Sequence, residues 1–438
     1  MANKPKIIVL DDDPTGSQTV HSCLLLMRWD VETLRLGLAD KSPIFFILTN
    51  TRALTKEKAS QVTEEVCQNL KKAIAAEGIE EFLVVSRSDS TLRGHYPIET
   101  DVIAAELGEF DAHFLVPAFF EGGRITRDSI HYLMVEGVET PVHQTEFARD
   151  SVFGYHHSYL PDYVEEKTRG KIKAAAVERF LLADIRAGTR ERLMNLKENQ
   201  CVAVDAECQA DLDRFAEDVL ATAESGKRFL FRSAASILTS LAKLGTQPIA
   251  PEDMAKEKPN QNPGVAIVGS HVRKTTQQLE KLLATSGVVG IEVDVQLLRD
   301  NPAERDTLLE KTLQQVEKVY LQQQTPVVYT SRSELTFTDV RQRLEFGANV
   351  SSLLMDVVKG LPRDIGFLIS KGGITSNDVL STGLNLSSAK LIGQILPGCS
   401  IIRTSSTHPQ FPNLPVVLFP GNVGDDRGLV TVYQRLSS

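Results

Sequence analysis

Asp11-Asp12-Asp13-Pro14-Thr15-Gly16-Ser17 puts three carboxylates directly after the apolar run Ile7-Ile8-Val9-Leu10. Carboxylates clustered at a strand end can hold a polyol or a metal, or act as a base. Asp, Pro and Gly are also turn residues, so a solvated turn is the bland alternative. Three adjacent acids weaken it, because they repel one another unless something is bound. Arg87-Ser88-Asp89-Ser90-Thr91-Leu92-Arg93-Gly94-His95 follows the apolar run 82–85 and packs two guanidiniums, an acid and three hydroxyls into one loop. Guanidinium suits carboxylate, and Ser, Thr and Asp suit sugar hydroxyls. Thr49-Asn50-Thr51-Arg52 and Glu121-Gly122-Gly123-Arg124 follow two further apolar runs. Any one of these is an ordinary polar loop. Four in one half favour a pocket for a small hydroxylated acid.

The last third of the chain carries a different kind of signal. Lys371-Gly372-Gly373-Ile374-Thr375-Ser376, Pro420-Gly421-Asn422-Val423-Gly424 and Gly269-Ser270-His271 each follow a short apolar run and precede a helix-like segment. A strand that ends in glycines and opens a helix exposes backbone N–H groups, a ready anion site. Three such turns in one half suggest a nucleotide cradle.

These loops need a frame. In the first half, apolar runs at 6–10, 44–48, 81–85 and 113–116 read as strands, and residues 55–76 read as a helix with Ala59, Val62, Val66, Leu70 and Ile74 at helical spacing. This βα rhythm predicts a parallel sheet covered by helices. Residues 124–160 break the rhythm and predict a small β or irregular insertion. Residues 245–263, with four prolines and almost no apolar content, predict a linker. Beyond it, strands are expected at 288–294, 326–329, 364–369 and 416–419, and helices at 274–284, 303–320, 338–359 and 425–436. The fold class is therefore α/β: two α/β domains, residues 1–245 and 264–438, with a cleft between them.

The totals narrow the function. At 438 residues the chain exceeds one ordinary core. A net charge of −9 with no basic block argues against nucleic acid or an anionic membrane as main partner. An anion site must therefore be local. Four apolar residues near the start are too few for a signal peptide core or a membrane span, and the five scattered cysteines show no zinc spacing. A cytoplasmic protein is expected. His131, His143, His156 and His157 lack the i,i+4 pair of a helical zinc site and read as structural.

Taken together, the motifs resemble the four-carbon acid sugar kinase family over nearly the whole chain. Its opening Asp-Asp-x-Thr-Gly turn is Asp12 to Gly16, its Asp-Ser-Thr-Leu-Arg-Gly run is Asp89 to Gly94, and its Gly-Arg is Gly123-Arg124. Its C-terminal Gly-Ser, Gly-Gly and Gly-Asn-x-Gly turns are Gly269-Ser270, Gly372-Gly373 and Gly421 to Gly424. The resemblance implies ATP- and Mg²⁺-dependent phosphorylation of a threonate, erythronate or 3-oxo-tetronate. It implies a sugar-acid-binding first domain and a nucleotide-binding second domain. Asp12, Arg52, Ser88, Ser90, Thr91, Arg93 and Arg124 would line the acceptor pocket, with Arg93 and Arg124 for the carboxylate. Asp13 and Asp89 are the candidate catalytic carboxylates, unranked between base and hydroxyl ligand. Ser270, Gly372, Gly373, Thr375, Gly421, Asn422, Val423 and Gly424 would hold ATP. The metal ligands stay unassigned. Members commonly carry an acid after the Gly-Gly pair, where this chain has Ile374; Asp378 is a candidate replacement. The expected partners are the sugar acid and ATP, with a homodimer possible and neither nucleic acid nor membrane.

Two other readings compete. Asp11-Asp12-Asp13-Pro14-Thr15 also fits the nucleophile loop of haloacid-dehalogenase-like phosphatases, with Asp11 as nucleophile and Asp13 as acid/base. That reading leaves the glycine turns unexplained. A non-catalytic sugar-acid-binding protein is the other, but no basic recognition helix accompanies it.

Overall fold

A computed structural model describes residues 5–332, 335 and 340–437. Its contacts divide the chain at Thr246/Gln247 into two compact units. The first runs β1 (Lys6–Asp11), β2 (Cys23–Leu26), α1 (Val31–Ala39), β3 (Ile44–Leu48), α2 (Lys56–Glu77), β4 (Phe82–Arg87), α3 (Ile98–Leu107), β5 (Ala112–Val116), β6 (Arg124–Arg127), β7 (Ile130–Val135), β8 (Val138–Pro141), α4 (Leu160–Lys167), β9 (Glu178–Phe180), α5 (Leu182–Ala187), α6 (Arg190–Asn195), β10 (Gln200–Val204), α7 (Gln209–Ala223), β11 (Phe229–Ser233) and α8 (Ser236–Ala242).

Its main strands lie in the order β2-β3-β1-β4-β11-β5-β10-β9, every neighbouring pair parallel. Parallel strands are buried on both faces, which is why they are continuous apolar runs rather than alternating ones. Ile8, Phe45, Val84 and Leu230 from four neighbouring strands share a core with Val66, Leu70 and Ile103 of the covering helices. Each such burial is worth about 1.5–3 kcal/mol. Helix α2 starts where Thr55 accepts from the Lys58 N–H at 3.4 Å and stops at Gly78, whose φ of 62° suits glycine. The chain leaves β1 toward β2 and β3, then crosses to β4 on the other side of β1. Such a reversal opens a crevice at the carboxyl ends of the strands. The expected insertion is the antiparallel sheet β6-β7-β8.

The second unit runs β12 (Val265–Val268), α9 (Arg273–Leu283), β13 (Val288–Val293), α10 (Val295–Asp300), α11 (Arg305–Leu321), β14 (Thr325–Thr330), α12 (Val340–Lys359), β15 (Leu368–Lys371), α13 (Gly373–Asp378), β16 (Ser388–Leu396), β17 (Cys399–Arg403), β18 (Pro415–Phe419) and α14 (Gly428–Ser437). Strands β13-β14-β12-β15-β18 are parallel, and β17 and β16 continue antiparallel. Val268, Ile369, Val417 and Phe419 pack with Leu279 and Leu429.

Several expectations need correction. Residues 247–263 are not a free linker but dock on the second unit. Gln247 and Gln394 exchange hydrogen bonds of 3.0 and 2.7 Å, Arg403 pairs with Glu257 at 2.6 Å, and Met254 is fully buried. Two apolar residues, Ile249 and Met254, suffice to seat a polar stretch. The strand expected at 364–369 begins only at Leu368, because Gly366 lies against the Asn262 carbonyl instead. Helix α14 begins at Gly428, three residues late. The expected helix start at Thr338 and Asp339 lies outside the described residues. The pair β16–β17 had no sequence expectation. No described helix is long and apolar enough to cross a membrane.

Candidate active site

In the first unit, β3, β1 and β4 are adjacent and parallel, so their following loops meet at one sheet edge. Arg52 stands at the centre. Its guanidinium pairs with Asp13, lies 3.6 Å from Asp12 and 3.3 Å from Asp89. Arg87 approaches Asp11 at 3.5 Å and Asp12 at 3.7 Å. Ser88 donates to Asp12 at 2.8 Å, Arg93 donates to Asp89 at 2.7 Å, and the Thr91 hydroxyl donates to the same Asp89 oxygen. Thus Asp12, Asp13, Arg52, Ser88, Asp89, Thr91 and Arg93 form one cluster. The Ser90 side chain is buried beside it, and its carbonyl meets His131 Nε2 at 2.7 Å.

The four acids do not behave alike. Burial pushes Asp11 up to about 8 against the opposing pull of Arg87. Burial also raises Asp12, again against Arg52 and Arg87. Burial opposes ionisation of Asp13 and Asp89 too, but their cations and hydroxyls win and both are held below the ordinary range. Arg52 and Arg87 act on Asp13, whereas Arg93 and Arg52 act on Asp89. Two buried oxygens, Asp11 Oδ2 and Asp12 Oδ1, have no hydrogen-bond donor among the described residues. Asp11 is also sealed: a Cβ on Gly16 would fall 2.1 Å from its carboxylate. With no exposed surface, the Asp11 carboxylate is not placed to attack a phosphate, which weakens the phosphatase reading at its central residue.

Arg124 stands apart from this network. It stacks 5.9 Å over Phe119, donates to the Gly122 carbonyl, and makes no ion pair among the described residues. Its Nε is buried without a partner, and burial lowers its pKa while Asp89 pulls the other way. Arg93 is already engaged by Asp89, by Asp150 at 3.6 Å, and by the face of Phe147 at 4.8 Å. Of the two arginines expected to meet a substrate carboxylate, Arg124 has the free donor. A cavity of about 20 Å³ lies among Ser88, Asp89, Arg93, Tyr163, Arg232 and Ser233, room for about one water.

Sequence reasoning missed the supports. Arg232 reaches Glu99 at 2.6 Å and Ser86 at 2.7 Å, and Glu99 accepts from Thr51 at 2.5 Å, which fixes the loop carrying Arg52. Tyr155 and Tyr163 donate to the carbonyls of Thr91 and Leu92 at 2.6 and 2.8 Å. A guanidinium at the end of the apolar run Phe229-Leu230-Phe231 was a readable flag; Glu99 on α3 gave none.

In the second unit, β12, β15 and β18 are neighbours, so the three glycine turns meet at one edge. A cavity of about 670 Å³ opens there, lined by Ser270, His271, Arg332, Phe346, Gly372 and Thr375 among others. Gly372 has φ 116°, and a Cβ on it would fall 2.8 Å from Ser270 Cβ. A Cβ on Gly269 would fall 2.3 Å from the Thr375 hydroxyl. Gly373 also lines the cavity, as does Ile374, which is 69% exposed. The Gly421–Gly424 turn lies beside this cavity rather than in its lining. Thr275 ties it in, donating to Ser270 Oγ at 3.1 Å and the Gly421 carbonyl at 3.3 Å. Gln278 donates to the Val423 carbonyl at 3.0 Å, and Asn422 is exposed. Asp378 does not line the cavity; its two oxygens accept from Ser351 and from Asn377. Lys371, fully buried, reaches the Pro420 and Gly421 carbonyls and lies 4.2 Å over Phe419; burial pushes it down to about 7. Its place beside the glycines gives no sign in the sequence of this bracing contact.

Comparisons with known proteins follow this division. Residues 7–241 match a family described as a sugar-binding N-terminal domain, and residues 265–429 one described as a nucleotide-binding C-terminal domain. A D-erythronate kinase from Heliobacterium modesticaldum is 27% identical over 305 residues, covering 67% of this chain and 64% of that protein. A D-threonate kinase from Bordetella bronchiseptica is 28% identical over 166 residues, covering 36% and 38%. The chain thus aligns with less than two thirds of the length of these curated relatives. Among solved structures, one from Salmonella typhimurium LT2 superposes with TM-score 0.72 at 20% identity over 98% of both chains. One from Haemophilus influenzae gives 0.65 at 17% over 97% and 98%. These two likenesses establish a shared fold.

Proposed function

This chain belongs to the four-carbon acid sugar kinase family, and we propose that it transfers the γ-phosphoryl group of ATP to a hydroxyl of a four-carbon sugar acid. The observation that carries the proposal is the meeting of three glycine turns, from three adjacent parallel strands, two of them lining one large cavity and the third beside it. The relatives named as erythronate and threonate kinases favour an acceptor of that class. We assign the sugar acid to residues 1–245 and the nucleotide to residues 264–438.

Phosphoryl transfer needs position and charge neutralisation more than covalent help. The residues fit a polyphosphate: Gly269 and Gly372 let two turns pack against each other at the cavity where a Cβ would meet Thr375 or Ser270, and Arg332 carries donors without acceptors among the described residues. No group of three potential metal ligands occurs among the described residues. That suits Mg²⁺, which keeps its waters and rides on phosphate oxygens with few protein ligands. When bound, it would neutralise charge on the β- and γ-phosphates. Ser270, Gly372, Gly373, Thr375 and the Gly421–Gly424 turn would hold the nucleotide.

In the acceptor site, Arg124 would bind the carboxylate and Arg93 would orient Asp89. Asp13 and Asp89 were the expected catalytic carboxylates, but a carboxylate held below its usual range is a weaker base. Asp12 shares with Asp11 a raised pKa and an oxygen without a donor among the described residues, but Asp12 lies in the cluster around Arg52 while Asp11 is sealed behind Gly16. Asp12 is the better matched group to take the hydroxyl proton, with Asp13 and Asp89 as hydroxyl ligands. The test is ADP release and ³¹P NMR with a panel of both threonates, both erythronates and 3-oxo-tetronates. Acceptor-dependent ADP release with a phosphorylated acid is expected. No release above the acceptor-free rate across the panel overturns the proposal.

A further inference from the structure

The guanidinium of Arg332 follows β14 and turns back toward the first glycine turn. Its Nη2 donates to the Ser270 carbonyl and to Thr276 Oγ1, the first at 2.5 Å and the second at 3.0 Å. Its Nε and Nη1 are shielded from solvent and find no acceptor among the described residues. It also makes no ion pair there. A shielded cation with unpaired donors is costly to keep, so its presence calls for an absent acceptor. The side chain lines the same cavity as Ser270, His271, Gly372 and Thr375. Those neighbours bring hydroxyls and backbone N–H groups but no carboxylate, and Glu292, whose charge is felt by the guanidinium, makes no ion pair with it among the described residues. The missing acceptor is therefore an anion that enters the cavity.

We propose that Arg332 is a phosphate-binding residue of the nucleotide pocket, held against the Gly269–His271 turn by Nη2 and giving Nε and Nη1 to polyphosphate oxygens. This rests on the kinase reading above and names the residue that reads the phosphate charge. Nothing in the glycine motifs reveals it, because Arg332 lies 62 positions from Ser270 in the chain. Guanidinium is suited to this role because it stays charged when shielded and presents donors in a fixed plane.

The experiment is calorimetric titration of the full-length protein with ATP, inorganic tripolyphosphate and adenosine, for wild type, Arg332→Lys and Arg332→Gln. A charge-assisted hydrogen-bond pair predicts a loss of about 10- to 100-fold in ATP and tripolyphosphate affinity in Arg332→Gln, with adenosine affinity within about twofold. Arg332→Lys should recover part of the loss. Equal weakening of adenosine and ATP would show that Arg332 only braces the turn, and overturns the proposal. So does unchanged ATP affinity in both variants. If wild type binds none of the three ligands, the kinase reading itself fails, which is a distinct outcome. Thermal melting of each variant confirms that the comparison is between folded proteins.

Discussion

In the first unit one guanidinium, Arg52, faces three carboxylates in a lattice of charged side chains, with a water-sized gap beside Asp89 and Arg93. At the ends of β12, β15 and β18, glycine turns bring backbone to a cavity of about 670 Å³, and few charged side chains line it. The difference is one of how specificity is stored. A small polyol acid offers hydroxyls and one carboxylate, so many side-chain donors and acceptors must be fixed in advance, each held by a neighbour. A polyphosphate offers diffuse negative charge, which repeated N–H groups and one or two cations can meet. A side-chain site is damaged by removing a charge. A backbone site is damaged by adding an atom.

Substitutions can break this contrast, beginning with the severest. Arg52→Met strands Asp12, Asp13 and Asp89 without their common cation. Removing one partner of a buried pair costs about 3–5 kcal/mol, so the urea midpoint of the first unit should fall steeply and activity should vanish. Asp12→Asn should lower kcat by about 10²–10⁴ with little change in KM. If Asp12→Asn retains near-normal kcat while Asp13→Asn or Asp89→Asn loses it, the assignment of the base among the three is reversed. Gly372→Val should abolish ATP binding in calorimetry and leave sugar-acid binding intact, because the position combines φ 116° with a Cβ contact of 2.8 Å. Equal damage to both ligands would mean the two sites are not materially separate.

Smaller effects sharpen the contrast. Lys371 is depressed to about 7 from an ordinary 10.5. Between those values the unfolded chain holds the proton and the native one does not, so stability attributable to this site rises with pH, by at most about 1.4 kcal/mol per unit. Below about 7 both states are protonated and the dependence stops. Comparing wild type with Lys371→Met in denaturant melts from about pH 6 to 10 should show the stability difference shift toward wild type as pH rises. A flat difference would mean the lysine is not desolvated. Least of all, Gly421→Ala should change ATP affinity by less than about threefold, because an added Cβ there meets nothing nearer than 3.4 Å. A large loss would show that the Gly421 turn closes more tightly on the nucleotide than Gly372 does.

The residues with a legible sequence signal were those that end apolar runs. Asp11 to Asp13, Thr51-Arg52, Arg87 to Arg93, Gly269-Ser270 and Gly372-Gly373 follow strands, and parallel neighbours bring strand ends together without further instruction. Helix α2 was legible because its apolar positions repeat at helical spacing and a threonine and a glycine bracket it. The strand pair β16–β17 was not, because Gly393, Gln394 and Lys390 interrupt its apolar pattern. The docking of 247–263 was hidden in a stretch whose composition is that of a linker.

Sequence by itself determined the parallel α/β architecture, the two-part division and the chemical character of each site, since these follow from local periodicity and residue type. Only the tertiary structure decided in which direction each carboxylate's pKa moves. Asp11, Asp12 and Asp13 are consecutive and chemically identical, yet burial raises the first two while Arg52, Arg87 and Thr15 hold the third down. It also decided that Arg232 and Glu99 brace the Arg52 cluster and that Arg332 reaches the Ser270 turn, because they arrive from elements far away in the chain. A pKa and an unpaired donor are properties of a surrounding, and that surrounding exists only after distant segments have packed.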